Sequence, residues 1–320
     1  MKAYLGKNRD MEYRMLGATG LRLSVVGYGA SPFGNVFGDT DRAEGIAAVH
    51  YAIDHGINFF DVSPYYGLTL AETRLGEALA GRRDEVVLAT KCGRYGADEF
   101  DFSVQRIKRG FEESLERLQT DFVDLLQAHD VEFATVDQIV EETIPAMREL
   151  QQQGKARYIG ITGYSPKNLV AIAKRVKVDS ILTYCRYNLM VADIDDELIP
   201  FAKEHGIGVI NASPLHMGIL TGRGAPAWHP APNEVQDAGK KVVELCVAEG
   251  VDAPELALRF CVDHPYVTST LVGMATRKQV EGNRNALALE GYSGLLERIE
   301  EVVSPVHNRS WRSGLAENYG

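Results

Sequence analysis

NFFDVSPYYG, residues 58–67, is a buried strand that runs into a loop carrying an aspartate and a tyrosine, Asp61 and Tyr66. Two later apolar runs end in the same way: VVLATK ends at Lys91, and FVDLLQAH ends at His129. Active sites of parallel α/β barrels lie at the C-terminal ends of the strands, so we expect these four side chains to converge there. The pattern therefore predicts an α/β protein of the (β/α)8 or TIM-barrel type, with its active site at that rim.

These four side chains and their neighbours resemble the aldo-keto reductases, NAD(P)(H)-linked oxidoreductases built on an (α/β)8 barrel. The resemblance implies that Tyr66 is the acid/base, that Asp61 and Lys91 tune it, and that His129 binds near the reacting oxygen. Within the family the chain is most similar to sugar 1-dehydrogenases, through the local sequences GASP, SPYYG, TKCGRY, HD, ITG and ASPL. That similarity implies oxidation of the anomeric carbon of L-galactose to a lactone.

Composition and charge limit the other classes of function. The 320 residues are 45% hydrophobic and 24% charged, which is ordinary for a folded protein with a large core. The net charge of -10 argues against general binding to nucleic acid or to anionic membranes. The four cysteines lack the spacing of zinc sites or disulfide frameworks, so no metal is expected. We expect a cytoplasmic protein with a short tail, residues 1–10, and one barrel domain, residues 11–320.

Short apolar runs alternate with segments of helical period, which is typical of repeated βα units and a parallel sheet. Their low polarity predicts strands that are buried on both faces. The predicted strands are Val25–Ala30, Ile57–Asp61, Val86–Lys91, Phe122–Ala128, Arg157–Thr162, Asp179–Tyr184, Gly208–Ala212 and Thr268–Gly273. The predicted outer helices are Asp41–His55, Ala71–Ala80, Ser103–Leu118, Val136–Gln153, Pro166–Arg175, Ile194–His205 and Pro254–Asp263.

Three additions to the repeat are predicted. A small N-terminal β-hairpin, Tyr13–Leu16 with Leu21–Ser24, is expected to close the barrel floor. The connection after the seventh strand, from Leu215 to about Pro254, is the longest and contains an extra helix; such insertions on the catalytic rim usually shape a pocket. Two further helices, 277–288 and 293–303, follow the last strand.

Hydride transfer between an alcohol carbon and a nicotinamide needs a group that takes the hydroxyl proton in oxidation and returns it in reduction. A tyrosine phenol has an ordinary pKa of about 10, so it is a poor base at neutral pH unless a cation favours the phenolate. Lys91 is the candidate cation, and Asp61 is the candidate partner of its ammonium. Each residue alone is more often structural, so the prediction depends on all four occurring together.

The resemblance also implies a nicotinamide cofactor that binds extended across the barrel rim. A dinucleotide fingerprint at Gly27, Gly29 and Gly34 is rejected, because the third glycine comes too late and no helix opens directly after the strand. The predicted cofactor contacts are Gly29, Ala30, Asp61, Thr162, Gly163, Tyr184, Ser213, Pro214, Leu215, Gly218, Leu220, Gly273, Met274, Gln279 and Asn283.

The charges expected near the adenosine end of the cofactor indicate whether NAD or NADP is favoured. Members of the family that prefer NADPH place a Lys-Ser pair and an arginine around the adenosine 2′-phosphate, and the corresponding positions here are Gly273, Met274 and Gln279. A phosphate without a paired guanidinium or ammonium is poorly held, so NAD is favoured over NADP. Arg277 and Arg284 remain alternative partners for that phosphate.

The predicted partner is a small-molecule sugar. Its contacts are predicted at Tyr65, Tyr66, His129, Asp130, Trp228 and Trp311. Aromatic rings stack on sugar faces, and polar tips bond hydroxyls. The alternatives to L-galactose are L-fucose, a D-threo-aldose, or pyridoxal oxidised at C4. From another class, potassium-channel β subunits share the fold, but that role needs a large exposed apolar interface.

Overall fold

The structure is a computed structural model that describes residues 11–318. The predicted tail, residues 1–10, lies outside the described residues. Eight parallel strands, β3 to β10, follow one another around a closed barrel, and an antiparallel hairpin of β1 and β2 precedes them, so the predicted (β/α)8 fold is confirmed. The strands are β1 Tyr13–Met15, β2 Arg22–Ser24, β3 Val26–Gly29, β4 Phe59–Asp61, β5 Val87–Cys92, β6 Val123–Ala128, β7 Ala156–Gly163, β8 Ser180–Tyr184, β9 Gly208–Ala212 and β10 Val267–Gly273.

The barrel interior is a packed apolar core below the rim. Leu16 and Leu23 of the hairpin segment join the inward-facing residues Phe59, Ala89 and Leu125 in one buried cluster. The hairpin therefore closes the floor of the barrel, as the sequence predicts. Because that floor is filled, the opposite rim is the face on which strand-end side chains meet.

The outer helices agree with the predicted ones to within about two residues, with two exceptions. The predicted helix Val136–Gln153 is interrupted by a π-helical turn at Ile139–Thr143, because Pro145 has no N–H to donate to the preceding turn. The helix predicted from Ile194 begins only at Leu198, after a short 3-10 turn. The helices are α1 Arg42–Asp54, α2 Leu70–Leu79, α3 Val104–Leu118, α4 Val136–Gln138, α5 Ile144–Gln152, α6 Pro166–Ala173, α7 Leu198–His205, α8 Asn233–Ala248, α9 Ala253–Val262, α10 Arg277–Asn285 and α11 Ser293–Val303.

The additions beyond the repeat surround the rim. The long connection after β9 contains α8, and α10 and α11 follow β10. After α11, residues 313–318 return to the segment that follows β6, where Leu315 N–H donates to the Glu132 carbonyl. Between residues 11 and 318, no helix is long and apolar enough to cross a membrane.

Candidate active site

Three of the four predicted catalytic residues come from consecutive strands. Asp61 ends β4, Lys91 lies near the end of β5, and His129 directly follows β6. The parallel register pairs Asp61 with Ala89 and Lys91 with Gln127, so side chains near the ends of these strands share one edge of the barrel. The strand ends therefore bring the predicted charged groups together on the rim.

Asp61 and Lys91 form a buried ion pair. The Lys91 ammonium donates to Asp61 Oδ1 and, at 2.9 Å, to the Val62 carbonyl. Gln127, which the sequence argument did not identify, donates from Nε2 to Asp61 Oδ2 at 2.9 Å. Burial disfavours the ammonium, but Asp61 and Tyr66 outweigh that effect and raise the pKa of Lys91. Lys91 is therefore a fixed positive charge at neutral pH.

Tyr66 lies against that charge. Lys91 Nζ is 4.9 Å from the centroid of the Tyr66 ring. The sequence predicts that the cation lowers the pKa of the phenol. Lys91 does oppose the rise, but burial is the larger effect and raises the pKa of Tyr66 to about 12. The expected net lowering is therefore wrong for the protein alone, because the effect of burial on the phenol exceeds that of the nearby ammonium.

A left-handed turn positions Tyr66. Gly67, Leu68 and Thr69 have φ values of 62°, 50° and 81°. A Cβ on Gly67 would lie 2.0 Å from the Gly34 carbonyl oxygen, so only glycine fits between the two loops. Non-glycine residues rarely occupy this region of φ, so two in succession mark a strained turn held by its surroundings.

His129 faces Tyr66 edge to face, with ring centroids 5.7 Å apart at 87°. Its Nδ1 is hydrogen-bonded to the Ser63 hydroxyl at 2.9 Å. Burial, together with the charges of Lys91 and Arg94, holds the pKa of His129 well below its usual range. His129 is therefore a neutral imidazole throughout the physiological pH range.

Arg94 connects two of the predicted substrate residues. Its guanidinium donates to the Asp130 carboxylate and lies 3.8 Å from the centroid of the Tyr65 ring. Asp130 is 3% exposed and has a φ of 53°, which places its carboxylate beside His129 rather than in solvent. Arg94 occurs in the TKCGRY motif, but the sequence alone does not show that the Arg94 side chain folds back over the rim and contacts Asp130.

The two predicted tryptophans differ in their surroundings. Trp311 stacks on Tyr164 with centroids 4.7 Å apart and has His229 at its edge. Trp228 is 55% exposed and contacts Phe37 at 6.0 Å between ring centroids. The structure thus brings Trp311 into an aromatic cluster, whereas Trp228 lies on the outer surface of the long loop.

The predicted cofactor residues lie at strand ends or in the segments that follow them. Those at strand ends are Gly29, Asp61, Thr162, Gly163, Tyr184 and Gly273; those after β9 are Ser213, Pro214, Leu215 and Gly218; and those in α10 are Gln279 and Asn283. The side chains of the other three, Ala30, Leu220 and Met274, have no exposed surface and pack in the apolar core. Any contact of those three residues with a cofactor would therefore be made through the backbone, because a strand-end position does not show which way a side chain points.

Two further details affect the cofactor predictions. The Thr162 hydroxyl accepts the Asp130 N–H at 3.1 Å, so it is already engaged. The Gln279 side chain accepts from the Ala275 and Thr276 N–H groups at 2.7 and 3.1 Å and closes the capping box of α10. Gln279 therefore serves the helix terminus.

The rim still fits a nicotinamide nucleotide. The ring of Tyr184 lies half-buried at the end of β8, with its centroid 5.4 Å from that of Tyr164. Gly273 is exposed, and a Cβ there would lie 2.8 Å from Pro32, so a bare backbone is needed where the two loops approach. Arg277 and Lys278 are exposed at the start of α10. Among residues 11–318, no cluster of His, Cys, Asp and Glu is arranged to hold a metal ion.

The chain belongs to the aldo/keto reductase family, whose model matches residues 25–303. It is therefore an oxidoreductase acting on CH–OH groups, in a family that uses nicotinamide cofactors. It is 46% identical to L-galactose dehydrogenase of Arabidopsis thaliana over 96% of this chain and 99% of the relative. It is 31% identical to D-threo-aldose 1-dehydrogenase of a Pseudomonas species, over 89% and 95% respectively. A holo-form aldo-keto reductase structure from Bacillus halodurans has a TM-score of 0.78 at 29% identity, covering 97% of this chain and 100% of that one.

Proposed function

We propose that this protein is an NAD-dependent aldose 1-dehydrogenase that oxidises the anomeric carbon of L-galactose to L-galactonolactone. The observation that carries the proposal is the convergence of a phenol, a buried ammonium and a neutral imidazole at one point of the rim. The similarity to two sugar 1-dehydrogenases supports the substrate class. The bound nicotinamide supplies the acceptor for the hydride from C1.

The side chains divide the proton chemistry between them. Tyr66 takes the proton of the anomeric hydroxyl during oxidation and returns it during reduction. Lys91 stabilises the phenolate that this step creates, and Asp61 holds the ammonium in place. Because the pKa of Tyr66 is about 12, the basic form becomes more abundant as the pH rises, and we expect oxidation to accelerate from pH 6 to pH 9.

Recognition of the sugar is assigned to the Arg94 unit, which consists of Arg94, Asp130 and Tyr65. A guanidinium and a carboxylate beside an aromatic face match the hydroxyls and the apolar face of a pyranose. Hydroxyls of the wrong stereochemistry leave such buried groups unpaired, which costs about 1–3 kcal/mol for each one. L-Galactose should therefore be preferred over D-galactose, and L-fucose should be the strongest competitor because it lacks only the 6-hydroxyl.

The test is a comparison of kcat/KM with NAD for L-galactose, L-fucose, D-galactose, D-arabinose, L-glucose and pyridoxal. The product is then identified by NMR. We expect L-galactose to rank first and its product to be a lactone, since removal of hydride from C1 of a ring hemiacetal leaves a carbonyl bonded to the ring oxygen. Oxidation at another carbon, or equal turnover of D-galactose, would replace this assignment with that of a general carbonyl reductase.

The preference for NAD is supported by a carboxylate at the start of α10. Glu44 of α1 accepts the Arg277 N–H at 2.9 Å, so an acid already occupies a donor of the helix N-terminus where an adenosine 2′-phosphate would lie. That carboxylate repels the phosphate and offsets the attraction of the exposed Arg277 and Lys278 side chains, so we expect NAD to exceed NADP by at least about tenfold in kcat/KM, roughly 1.4 kcal/mol. Glu44→Gln should reduce the ratio of kcat/KM with NAD to kcat/KM with NADP, because kcat/KM with NADP rises. Glu112→Gln on α3 serves as the control. Unchanged NADP kinetics in Glu44→Gln would contradict this placement.

A further inference from the structure

Ser63 lies inside the site but has no role in the proton chemistry described above. Its side chain is fully buried, two residues after Asp61 and three before Tyr66. Its hydroxyl is 2.9 Å from His129 Nδ1 and accepts the Tyr65 N–H at 3.1 Å. This one oxygen therefore links the loop that carries the phenol to the imidazole after β6.

The position of the shared proton follows from the available partners. A serine hydroxyl has one hydrogen to donate, and within residues 11–318 the structure gives this hydrogen no acceptor other than His129 Nδ1. If Nδ1 carried the proton, the buried Ser63 oxygen would accept twice and its own hydrogen would be unpaired, which is unfavourable for a buried hydroxyl. The satisfied arrangement has Ser63 donating and His129 Nδ1 accepting.

We propose that Ser63 is a positioning residue that keeps His129 neutral with its proton on Nε2. Nε2 is the nitrogen on the far side of the ring from Ser63, 3.8 Å from Asp130 Oδ2 and so beyond hydrogen-bonding distance. The catalytic consequence of this tautomer rests on the proposed function. In that reaction the Nε2–H of His129 donates a hydrogen bond to the C1 oxygen as that oxygen becomes a carbonyl. The opposite tautomer would present a lone pair to the same oxygen. The neighbouring charges of Lys91 and Arg94 disfavour the doubly protonated ring.

The direct test is NMR of the full chain labelled with 13C,15N-histidine, recorded without sugar. The His129 signals are identified by their loss in His129→Asn. We expect an unprotonated Nδ1 and a protonated Nε2 in the unmodified protein, and a growing Nδ1–H population in Ser63→Ala. This readout does not depend on the identity of the substrate, so a failed sugar assay would leave it intact.

Kinetics provide the second measurement. Ser63→Ala should lower kcat about tenfold or more, which is less than the loss of rate expected when a proton-transfer group itself is removed. The Kd for NAD should stay within about twofold of the value for the unmodified protein. Ser114→Ala is the matched control, because Ser114 is also fully buried and hydrogen-bonded but lies on α3. Nδ1 protonation in the unmodified protein would overturn the proposal even if Ser63→Ala does not fold. An unchanged tautomer in Ser63→Ala would also overturn it, whatever the rate.

Discussion

Two buried ion pairs lie on opposite faces of β5. Lys91 points into the barrel rim and pairs with Asp61, whereas its neighbour Thr90 points outward and donates to Glu72 at 2.6 Å. Arg117 of α3 completes the outer pair through Nε, 2.8 Å from Glu72 Oε2. Consecutive residues of one strand thus serve two charge pairs, because successive side chains of a strand alternate between its faces.

The difference between the pairs lies in what else they contact. Both oxygens of Glu72 are satisfied by neighbours that do not titrate near neutral pH. The inner pair instead contacts the Tyr66 phenol, and the His129 imidazole lies close by on the rim. Buried charge alone therefore does not indicate catalysis; a buried charge beside a proton-transfer group at the carboxyl end of a strand does.

The largest expected effect is on the inner side, where Tyr66→Phe removes the proton-transfer group and little contact area. We expect kcat for sugar oxidation to fall by about two to four orders of magnitude. Binding of NAD, followed by tryptophan fluorescence, should be nearly unchanged. An enzyme with near-normal kcat would exclude Tyr66 as the acid/base.

Two substitutions, one in each ion pair, test whether only the inner pair contributes to catalysis. Lys91→Met should abolish turnover, since an unassisted buried phenol titrates too high to act as a base. Arg117→Met should leave kcat per folded molecule within about twofold but lower the free energy of unfolding by about 3–5 kcal/mol, because Glu72 is left buried and unpaired.

Urea unfolding and active-site titration separate these two outcomes. If Arg117→Met loses turnover without losing stability, the outer pair contributes to catalysis and the contrast fails. If Lys91→Met is fully active, the proposed tuning of the phenol is wrong.

The fold was predictable because its signals are local. Gly56, Gly154 and Gly206 have the left-handed φ that is typical of helix ends, and the Ser103 and Ser165 side chains cap α3 and α6. The π-helical turn before Pro145 was missed, because the apolar period continues through it. Periodicity reports which face is buried, but it does not report a change in hydrogen-bond pattern.

The site was predictable only in part. The strand-end positions of Asp61, Lys91 and His129 could be read from three apolar runs. Gln127 could have been predicted as well, since it lies two residues before His129 and so on the same face of the strand. Arg94 and Glu132 could not be predicted from the sequence, because their contacts depend on loops that fold back over the rim. The net rise in the pKa of Tyr66 was also missed, since a sequence does not show how completely a side chain is enclosed.

The smallest expected effect concerns another buried acid, Glu132, whose hydrogen bonds within residues 11–318 come from a backbone N–H and a hydroxyl rather than from a lysine or an arginine. Its Oε1 accepts from the Tyr164 N–H at 2.9 Å and from the Ser313 hydroxyl, while its Oε2 is buried without a hydrogen bond. Burial, reinforced by Asp130, raises the pKa of Glu132 from its ordinary value of 4.5 to about 8.

The sign of the pH effect follows from that shift. The folded protein holds the Glu132 proton more tightly than the unfolded chain, so the stabilising contribution is complete below pH 4.5, falls as the pH rises, and is lost above about 8. Glu132→Gln keeps the shape without the titration, so we expect similar thermal stability at pH 5 and higher thermal stability than the unmodified protein at pH 9. Melting temperatures measured from pH 5 to pH 9 check this, with the exposed Glu141→Gln as the control. A constant difference across that range would contradict the prediction, because it would show that Glu132 does not titrate between pH 5 and pH 9.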